Sequence, residues 1–71
     1  GGSLDGRVLL YYRNGQLKRE MHFKTGVREG VERFWSQEGK LLIEQNYAQG
    51  NAVGVGRMWD ESGRLILEKE F

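Results

Sequence analysis

The segment GVERFWSQEGKLLIEQNYAQGNAV, residues 30–53, decides the fold of this chain, because a copy of it lies on each side without a gap. A shift by one unit of 24 residues carries Gly6 to Gly30 and Gly30 to Gly54. The same shift places aromatic on aromatic, leucine on leucine and glutamate on glutamate. Such a period is typical of a repeat array. The matching sets are Tyr11/Trp35/Trp59, Leu17/Leu41/Leu65, Glu20/Glu44/Glu68, Phe23/Tyr47/Phe71, Gly6/Gly30/Gly54 and Gly15/Gly39/Gly63.

We therefore predict three tandem units, residues 6–29, 30–53 and 54–71, after a lead-in at residues 1–5. The first three residues, Gly1-Gly2-Ser3, resemble a cloning remnant, which leaves open whether an upstream signal, anchor or domain was removed.

The composition is that of a small folded domain, with 38% hydrophobic and 30% charged residues among 71. A net charge of +1 is too balanced to indicate a nucleic-acid-binding surface. The absence of cysteine excludes disulfides and thiolate metal sites. No apolar run approaches the roughly 18 residues of a membrane span, and no signal-peptide pattern is present. These features leave the cellular compartment open.

Each unit is predicted to form a β-hairpin, because glycine interrupts the chain too often for a helix. The runs between the glycines are rich in aromatic and β-branched residues. The first strands are expected at about 7–12, 31–36 and 55–60, and the second strands at 17–23, 41–47 and 65–71. The predicted fold class is therefore all-β, a single-layer, twisted antiparallel meander of about six strands.

The hairpin tips predict the register of each strand pair. Glu38 and Ser62 disfavour the positive φ angles of a two-residue type I′ turn. A type I turn closed by a left-handed glycine suits all three tips. It places Tyr11 opposite Leu17, Trp35 opposite Leu41 and Trp59 opposite Leu65.

Strict alternation from these pairs divides the side chains between two faces. One face is predicted to carry Tyr11/Trp35/Trp59, Leu17/Leu41/Leu65, Arg19/Ile43/Leu67 and Phe23/Tyr47/Phe71. The other is predicted to carry Leu10/Phe34/Met58, Lys18/Leu42/Ile66 and Glu20/Glu44/Glu68. With no helix to cover it, the first face must be hidden by twisting, by dimerisation or by a partner.

The segments between hairpins, residues 24–30 and 48–54, are predicted to be longer loops bounded by glycine. They are expected to line up along one edge, where loops commonly form recognition surfaces.

The pattern Tyr47-x-x-Gly50-x-x-x-Gly54-x-Gly56 resembles the MORN (membrane occupation and recognition nexus) repeat. The first unit, YYRNGQLKREMHFKTGVREG, is more similar to the bacterial variant of this repeat, commonly grouped with the YwqK-type antitoxin component. The resemblance implies an elongated β-meander used for binding or scaffolding, and its antitoxin label implies neutralisation of a toxin by binding. The chain departs from ordinary MORN units where Leu-x-x-Glu replaces their aromatic-glutamate-glycine step.

Two sets of residues are candidates for contact with a partner. Tyr11, Trp35 and Trp59 form either a protein-binding stripe or a structural column that holds the hairpins together. A second, basic set contacts phosphates of a lipid or nucleic acid, pairs with carboxylates of neighbouring strands, or simply solvates the sheet. The basic set is Arg33, Lys40, Arg57 and Arg64.

Neither catalysis nor cofactor or metal binding is predicted. Glu20, Glu44 and Glu68 recur on every second strand, roughly 9.5 Å apart, which is too far for a shared ion. His22 is the single histidine and no nucleophile is placed near it by motif.

The sequence thus favours a non-enzymatic protein-interaction or scaffolding module, with toxin neutralisation as a special case. Peripheral binding to anionic lipid headgroups and a spacer role within a longer array remain alternatives. Because Phe71 falls on an uncapped last strand, we also expect either further repeats or self-association through the sheet face or edge.

Overall fold

The computed structural model describes residues 5–71, and the prediction about Gly1-Gly2-Ser3 falls outside this range. It contains one antiparallel sheet and no helix, so the described residues hold no helix that could cross a membrane. The strands are β1 (Gly6–Tyr11), β2 (Leu17–Lys24), β3 (Val27–Arg28), β4 (Gly30–Trp35), β5 (Leu41–Ala48), β6 (Asn51–Trp59) and β7 (Leu65–Glu70).

The strand order is β1-β2-β4-β5-β6-β7, with the short β3 paired to β2. Sequential strands are therefore neighbours, apart from β3 and β4, which both pair with β2, and the predicted all-β meander is confirmed. The sheet measures 42 × 33 × 9 Å along its principal axes, and the smallest of these dimensions is the thickness of a single layer. Met21 is the one buried hydrophobic residue in the described part, and no side chain there is fully buried. Contacts between adjacent strands, rather than a two-layer core, hold this sheet together.

The hairpin turns have the predicted type. In the first, the N–H of Gly15 donates to the carbonyl of Tyr12 at 3.0 Å, and Gly15 has a φ of 90°. The N–H of Tyr12 in turn donates to the carbonyl of Gln16 at 2.8 Å. The same two bonds recur at the equivalent positions of the second and third turns. The predicted pairs Tyr11–Leu17, Trp35–Leu41 and Trp59–Leu65 are confirmed.

A second bulge follows each turn and overturns the predicted division of faces. Leu10 lies opposite Arg19 while Tyr11 lies opposite Leu17, so Lys18 is an extra residue in β2. Leu42 and Ile66 are the equivalent extra residues in β5 and β7. Because each bulge resets the alternation, the side chains of the second strand beyond it point to the face opposite the predicted one.

The glutamates at 20, 44 and 68 consequently share the face of Tyr11, Trp35 and Trp59. The residues Arg19/Ile43/Leu67 and Phe23/Tyr47/Phe71 lie on the other face, beside Leu10/Phe34/Met58. Each face therefore carries one column of aromatic residues, and the prediction that both columns share a face was wrong.

The segments between hairpins are mostly strand, not long loops. Thr25-Gly26 and Gln49-Gly50 form tight two-residue turns in which all four residues have positive φ, between 52° and 85°. The short β3 follows the first of these turns, which adds a seventh strand to the predicted six. The candidate loop surface at residues 24–30 and 48–54 is thus reduced to two turn tips.

Candidate functional site

The candidate site is a row of apolar side chains beside the hairpin turns, which we call the aromatic row. Each aromatic residue ends the first strand of a hairpin and each leucine begins the second, so the strand order alternates them across the sheet. The row is Tyr11, Leu17, Trp35, Leu41, Trp59 and Leu65. The structure therefore brings together the three aromatic residues that the sequence singled out.

The ends of the aromatic row are the most accessible to solvent. Tyr11 is 58% exposed and Leu65 is 45% exposed, whereas Trp35 and Trp59 are half-buried. An open groove of about 410 Å³ lies beside Trp59 and is lined also by Lys40, Leu41, Ser62 and Gly63. Because the sheet is a single layer, no other part of residues 5–71 packs over this row as a second layer.

A row of alternating charges runs parallel to the aromatic row on the same face, and we call it the charge ladder. Its charged members, in strand order, are Glu20, Arg33, Glu44, Arg57 and Glu68, each directly opposite the next, and Leu9 occupies the equivalent position on β1. Opposite charges at facing positions stabilise a sheet, so the ladder supports the register that the turns set.

Arg33 is the centre of the charge ladder. Its Nε donates to Glu44 at 2.9 Å and its Nη1 donates to Glu20 at 3.1 Å. The hydrogen bond to Glu44 raises the pKa of Arg33; partial burial opposes this rise and the bond to Glu20 adds to it. Arg57 makes one such bond, from its Nε to Glu68 at 2.8 Å. Two of the four predicted anion contacts are therefore paired within the sheet.

The other two predicted anion contacts lie at the turns and do not join the ladder. Lys40 donates from Nζ to the carbonyl of Glu61 at 2.6 Å, which ties the second turn to the third. The side chain of Arg64 is exposed, and its backbone N–H donates to Asp60 at 3.0 Å. The structure thus divides the predicted basic set between two places.

Polar side chains at the first position of the second and third turns hold these tips in shape. Ser36 is 3% exposed, and its hydroxyl accepts the N–H groups of Glu38 and Lys40, each at 3.2 Å. At the third turn Asp60 accepts the Ser62 hydroxyl at 2.6 Å and the Ser62 N–H at 2.9 Å. The Ser62 hydroxyl is the main cause of a lowered pKa at Asp60.

Sequence reasoning missed a charged cluster on the opposite face. Glu32, 9% exposed, lies 3.3 Å from Arg28 and 3.8 Å from Arg19. Each arginine also lies over an aromatic ring, Arg28 over Tyr47 at 5.0 Å and Arg19 over Phe34 at 5.5 Å. A signal did exist, because all three charges break the repeat: their counterparts in the following unit are Ile43, Ala52 and Gly56.

Acidic and histidine side chains do not converge in threes anywhere in residues 5–71, the arrangement that a metal site would require. The single histidine, His22, lies 3.3 Å from Glu20. The Glu20 carboxylate also accepts a hydrogen bond from Arg33. The chemistry of the described surface is therefore that of paired charges beside exposed aromatic groups.

Comparison with known proteins supports the repeat assignment. A family model described as MORN repeat variant matches twice, at residues 4–25 and 28–49, which together cover more than half of the chain. The second match begins one unit after the first, as the internal period requires. Searches of curated proteins and of solved structures gave no significant match.

Proposed function

This chain belongs to the MORN repeat variant family, and we propose that it is a non-enzymatic module that binds another protein through the aromatic row. Repeats of this family are generally non-catalytic and are often used in binding or scaffolding. A binding surface on a repeat sheet is built by adding units side by side, so its length follows from the number of hairpins.

The observation that carries the proposal is the absence of a second layer over the aromatic row in the described chain. Tyr11 stands 58% exposed at one end, and the groove beside Trp59 opens near the other. Exposed aromatic residues in a contiguous apolar strip are typical of protein contacts. Tyrosine and tryptophan are also enriched among the few residues that supply most of the binding energy at protein interfaces.

The surroundings of the row suit a protein partner. On one side the charge ladder pairs Arg33 and Arg57 with glutamates, so covering the row leaves no unpaired charge at those positions. On the other side the turns present exposed polar residues such as Asn14 and Lys40. An apolar strip bordered by satisfied polar groups has the arrangement of an interface core with its rim.

Binding to anionic lipid headgroups has less support. Arg33 and Arg57 would have to give up bonds of 2.8–3.1 Å to carboxylates before they could bind phosphate. Lys40 is engaged with the carbonyl of Glu61. Only Arg64 among the predicted contacts presents an exposed guanidinium without giving up a bond seen in residues 5–71, and one cation gives weak membrane affinity.

Toxin neutralisation is a special case of the same proposal, drawn from the similarity of the first unit to the antitoxin-like bacterial repeats. In that case the partner is a toxin whose activity falls in proportion to the amount of bound chain. A scaffold or spacer would bind its partner without changing that partner's activity.

The experiment compares exposed aromatic residues on the two faces. The wild-type chain and the variants Tyr11→Ala and Phe71→Ala are immobilised and used to capture partners from lysate of the source organism. The two residues are matched, since Tyr11 is 58% and Phe71 55% exposed, and they lie on opposite faces. We expect Tyr11→Ala to weaken capture at least about tenfold, as loss of a hot-spot aromatic residue does, while Phe71→Ala retains it.

Trp59→Ala is the second test of the aromatic row, provided that its β-type circular dichroism is unchanged. A captured protein that is lost with Phe71→Ala but kept with Tyr11→Ala would place the contact on the other face. Capture of no protein, together with binding to anionic vesicles that Arg64→Ala abolishes, would replace the proposal with the lipid alternative.

A further inference from the structure

The described sheet has two open edges, β1 and β7, and the apolar half of β7 is strongly exposed. Leu65, Ile66 and Leu67 are 45%, 55% and 51% exposed. Edge strands with this character pair readily with another strand unless charge, proline or a covering segment protects them. Here the protecting charges, Glu68 to Glu70, lie only in the second half of β7.

Two internal junctions show how one repeat accepts the next. Between the first and second units, Arg19 of β2 lies opposite Phe34 of β4. Between the second and third units, Ile43 of β5 lies opposite Met58 of β6. At both junctions, the pairing with the next repeat begins at the residue that follows the bulge. The geometry of the junction therefore recurs with the period of the repeat.

Extending the same register by one unit identifies the strand that fits β7. Leu67 is the third member of the series Arg19/Ile43/Leu67, and its partner must occupy the position of Phe34 and Met58 in the repeat. In this chain the remaining residue at that position is Leu10, on β1. We propose that β7 of one chain pairs with β1 of a second copy, head to tail, and that the sheet continues across the two chains.

The apolar pair at this junction matches the one at the second internal junction, while Glu68 would face Leu9 in place of an arginine. Leu67 and Leu10 are 51% and 42% exposed, and their contact would resemble that of Ile43 with Met58. Burying two such residues removes apolar surface from water, at about 25 cal/mol per Å².

The turns supply a second contact of the same kind. Lys40 of the second turn donates to the carbonyl of Glu61 in the third turn. Arg64 occupies the position of Lys40 in the next unit, and the residue of a second copy that corresponds to Glu61 is Arg13. The exposed guanidinium of Arg64 is therefore expected to reach the Arg13 carbonyl of that copy.

A symmetric pairing of β7 with β7 is the rival arrangement. With Ile66 on the two-fold axis, Leu65 would face Leu67 and Arg64 would face Glu68 of the other copy. That register requires regular pairing at Ile66, the bulge residue. The equivalent residues Lys18 and Leu42 do not pair with the next repeat at the internal junctions. The internal junctions therefore favour the head-to-tail arrangement, which is open-ended and forms a series of oligomers.

The first test mixes two edge variants, Leu67→Lys on β7 and Leu10→Lys on β1, and measures mass by light scattering. We expect the wild-type chain to grow in mass with concentration and each variant alone to remain monomeric. An equimolar mixture should give twice the monomer mass, because the intact β7 of the Leu10 variant pairs with the intact β1 of the Leu67 variant.

Three results would overturn the proposal: a wild-type chain that stays monomeric at all concentrations, a Leu10→Lys variant that still dimerises, and a mixture that remains monomeric. The second of these would establish the symmetric β7 pairing. Circular dichroism of each variant checks that the fold is retained.

The second test decides the register even where a lysine variant fails to fold. The chain has no cysteine, so introduced thiols react only with each other. Directly opposed antiparallel residues have Cα atoms about 4.5–5.5 Å apart, within disulfide range. Mild oxidation of Leu10→Cys mixed with Leu67→Cys should give the mixed disulfide. Leu10→Cys mixed with Leu65→Cys, which is out of register, should not, and equal yields from the two mixtures would contradict the proposed pairing.

Discussion

Arg33 of the second repeat donates a 3.1 Å hydrogen bond to Glu20 of the first. The same guanidinium bonds to Glu44 within its own hairpin at 2.9 Å, so one side chain joins two repeats. Glu20 is largely shielded from solvent, its side chain 14% exposed, and would keep a poorly solvated charge if Arg33 were removed. This relationship makes Arg33 the most sensitive member of the charge ladder.

We expect Arg33→Ala to lower the free energy of unfolding by about 1–2 kcal/mol, the usual cost of losing a charged hydrogen bond that is partly shielded. Arg57→Ala is the matched control, because within residues 5–71 the Arg57 guanidinium bonds only to the half-exposed Glu68. Its loss should cost about 0.5 kcal/mol. Urea unfolding of both variants measures the difference, and equal losses would contradict a bridging role for Arg33.

The two adjacent tyrosines are expected to differ in their effect on stability. The hydroxyl of Tyr12 donates to the carbonyl of Trp35 at 2.7 Å, across the junction between the first two repeats. Tyr12→Phe leaves that part-buried carbonyl without this donor and should cost about 1 kcal/mol. Tyr11→Phe removes a hydroxyl from an exposed ring and should leave stability within about 0.5 kcal/mol of wild type. Similar melting temperatures for the two variants would refute this assignment.

A third prediction concerns Gly56, which is buried and has no positive φ. A Cβ at this position would overlap Oε1 of Gln45 and come within 3.1 Å of the Phe71 ring. Gln45 is held in place because its Nε2 donates to the carbonyls of Asn46 and Val53. Gly56→Ala should therefore destabilise the sheet by about 1–3 kcal/mol through overpacking.

The double variant Gly56→Ala with Gln45→Ala tests the cause of that loss. If the overlap with Gln45 is responsible, Gly56→Ala should lower the free energy of unfolding less in the Gln45→Ala chain than in the wild-type chain. Additive losses would show that Gly56 is needed for a reason other than the space beside Gln45.

The third turn should respond to acid. The Ser62 hydroxyl lowers the pKa of Asp60, so the folded pKa lies below the unfolded value of about 3.9. A lowered carboxyl pKa stabilises the turn at pH values above the unfolded pKa. This stabilisation is lost as the pH falls through the folded pKa. NMR titration should show a lower midpoint for Asp60 in the wild-type chain than in Ser62→Ala. Identical midpoints would mean that the hydroxyl bond does not form in solution.

The sequence predicted the turns and the first pair beyond each of them, because both depend on residues whose effect is local. Glycine at positions 15, 39 and 63 permits the left-handed conformation that closes a three-residue turn, and the turn then fixes Tyr11 opposite Leu17. The aromatic row follows from these local rules and from the period of the repeat.

The division of the faces could not be predicted in the same way. The bulges fall at Lys18, Leu42 and Ile66, which differ in charge and shape and carry no residue typical of a bulge. Whether a strand contains one extra residue depends on how its twist fits the neighbouring strands, a property of the assembled sheet. Thr25 is a similar case, since a β-branched residue at a φ of 52° runs against local preference.

The charge ladder was half predicted. Pairing of basic residues with neighbouring carboxylates was one of three alternatives for Arg33 and Arg57, but the carboxylates were assigned to the wrong face. The sequence did not predict the cluster of Arg19, Arg28 and Glu32, because the comparison of units considers residues that recur and these three charges each occur in one unit. Charges that break a repeat merit the same scrutiny as those that follow it.

The most direct test of a protein-binding aromatic row is side-chain footprinting of the chain with its captured partner. Hydroxyl-radical labelling reports the solvent access of individual aromatic side chains, and Tyr11, Trp59 and Phe71 can be followed in one experiment. We predict that the partner protects Tyr11 and Trp59 and leaves Phe71, on the opposite face, as reactive as in the free chain. Unchanged labelling of Tyr11 and Trp59 in a fully bound complex would contradict the account.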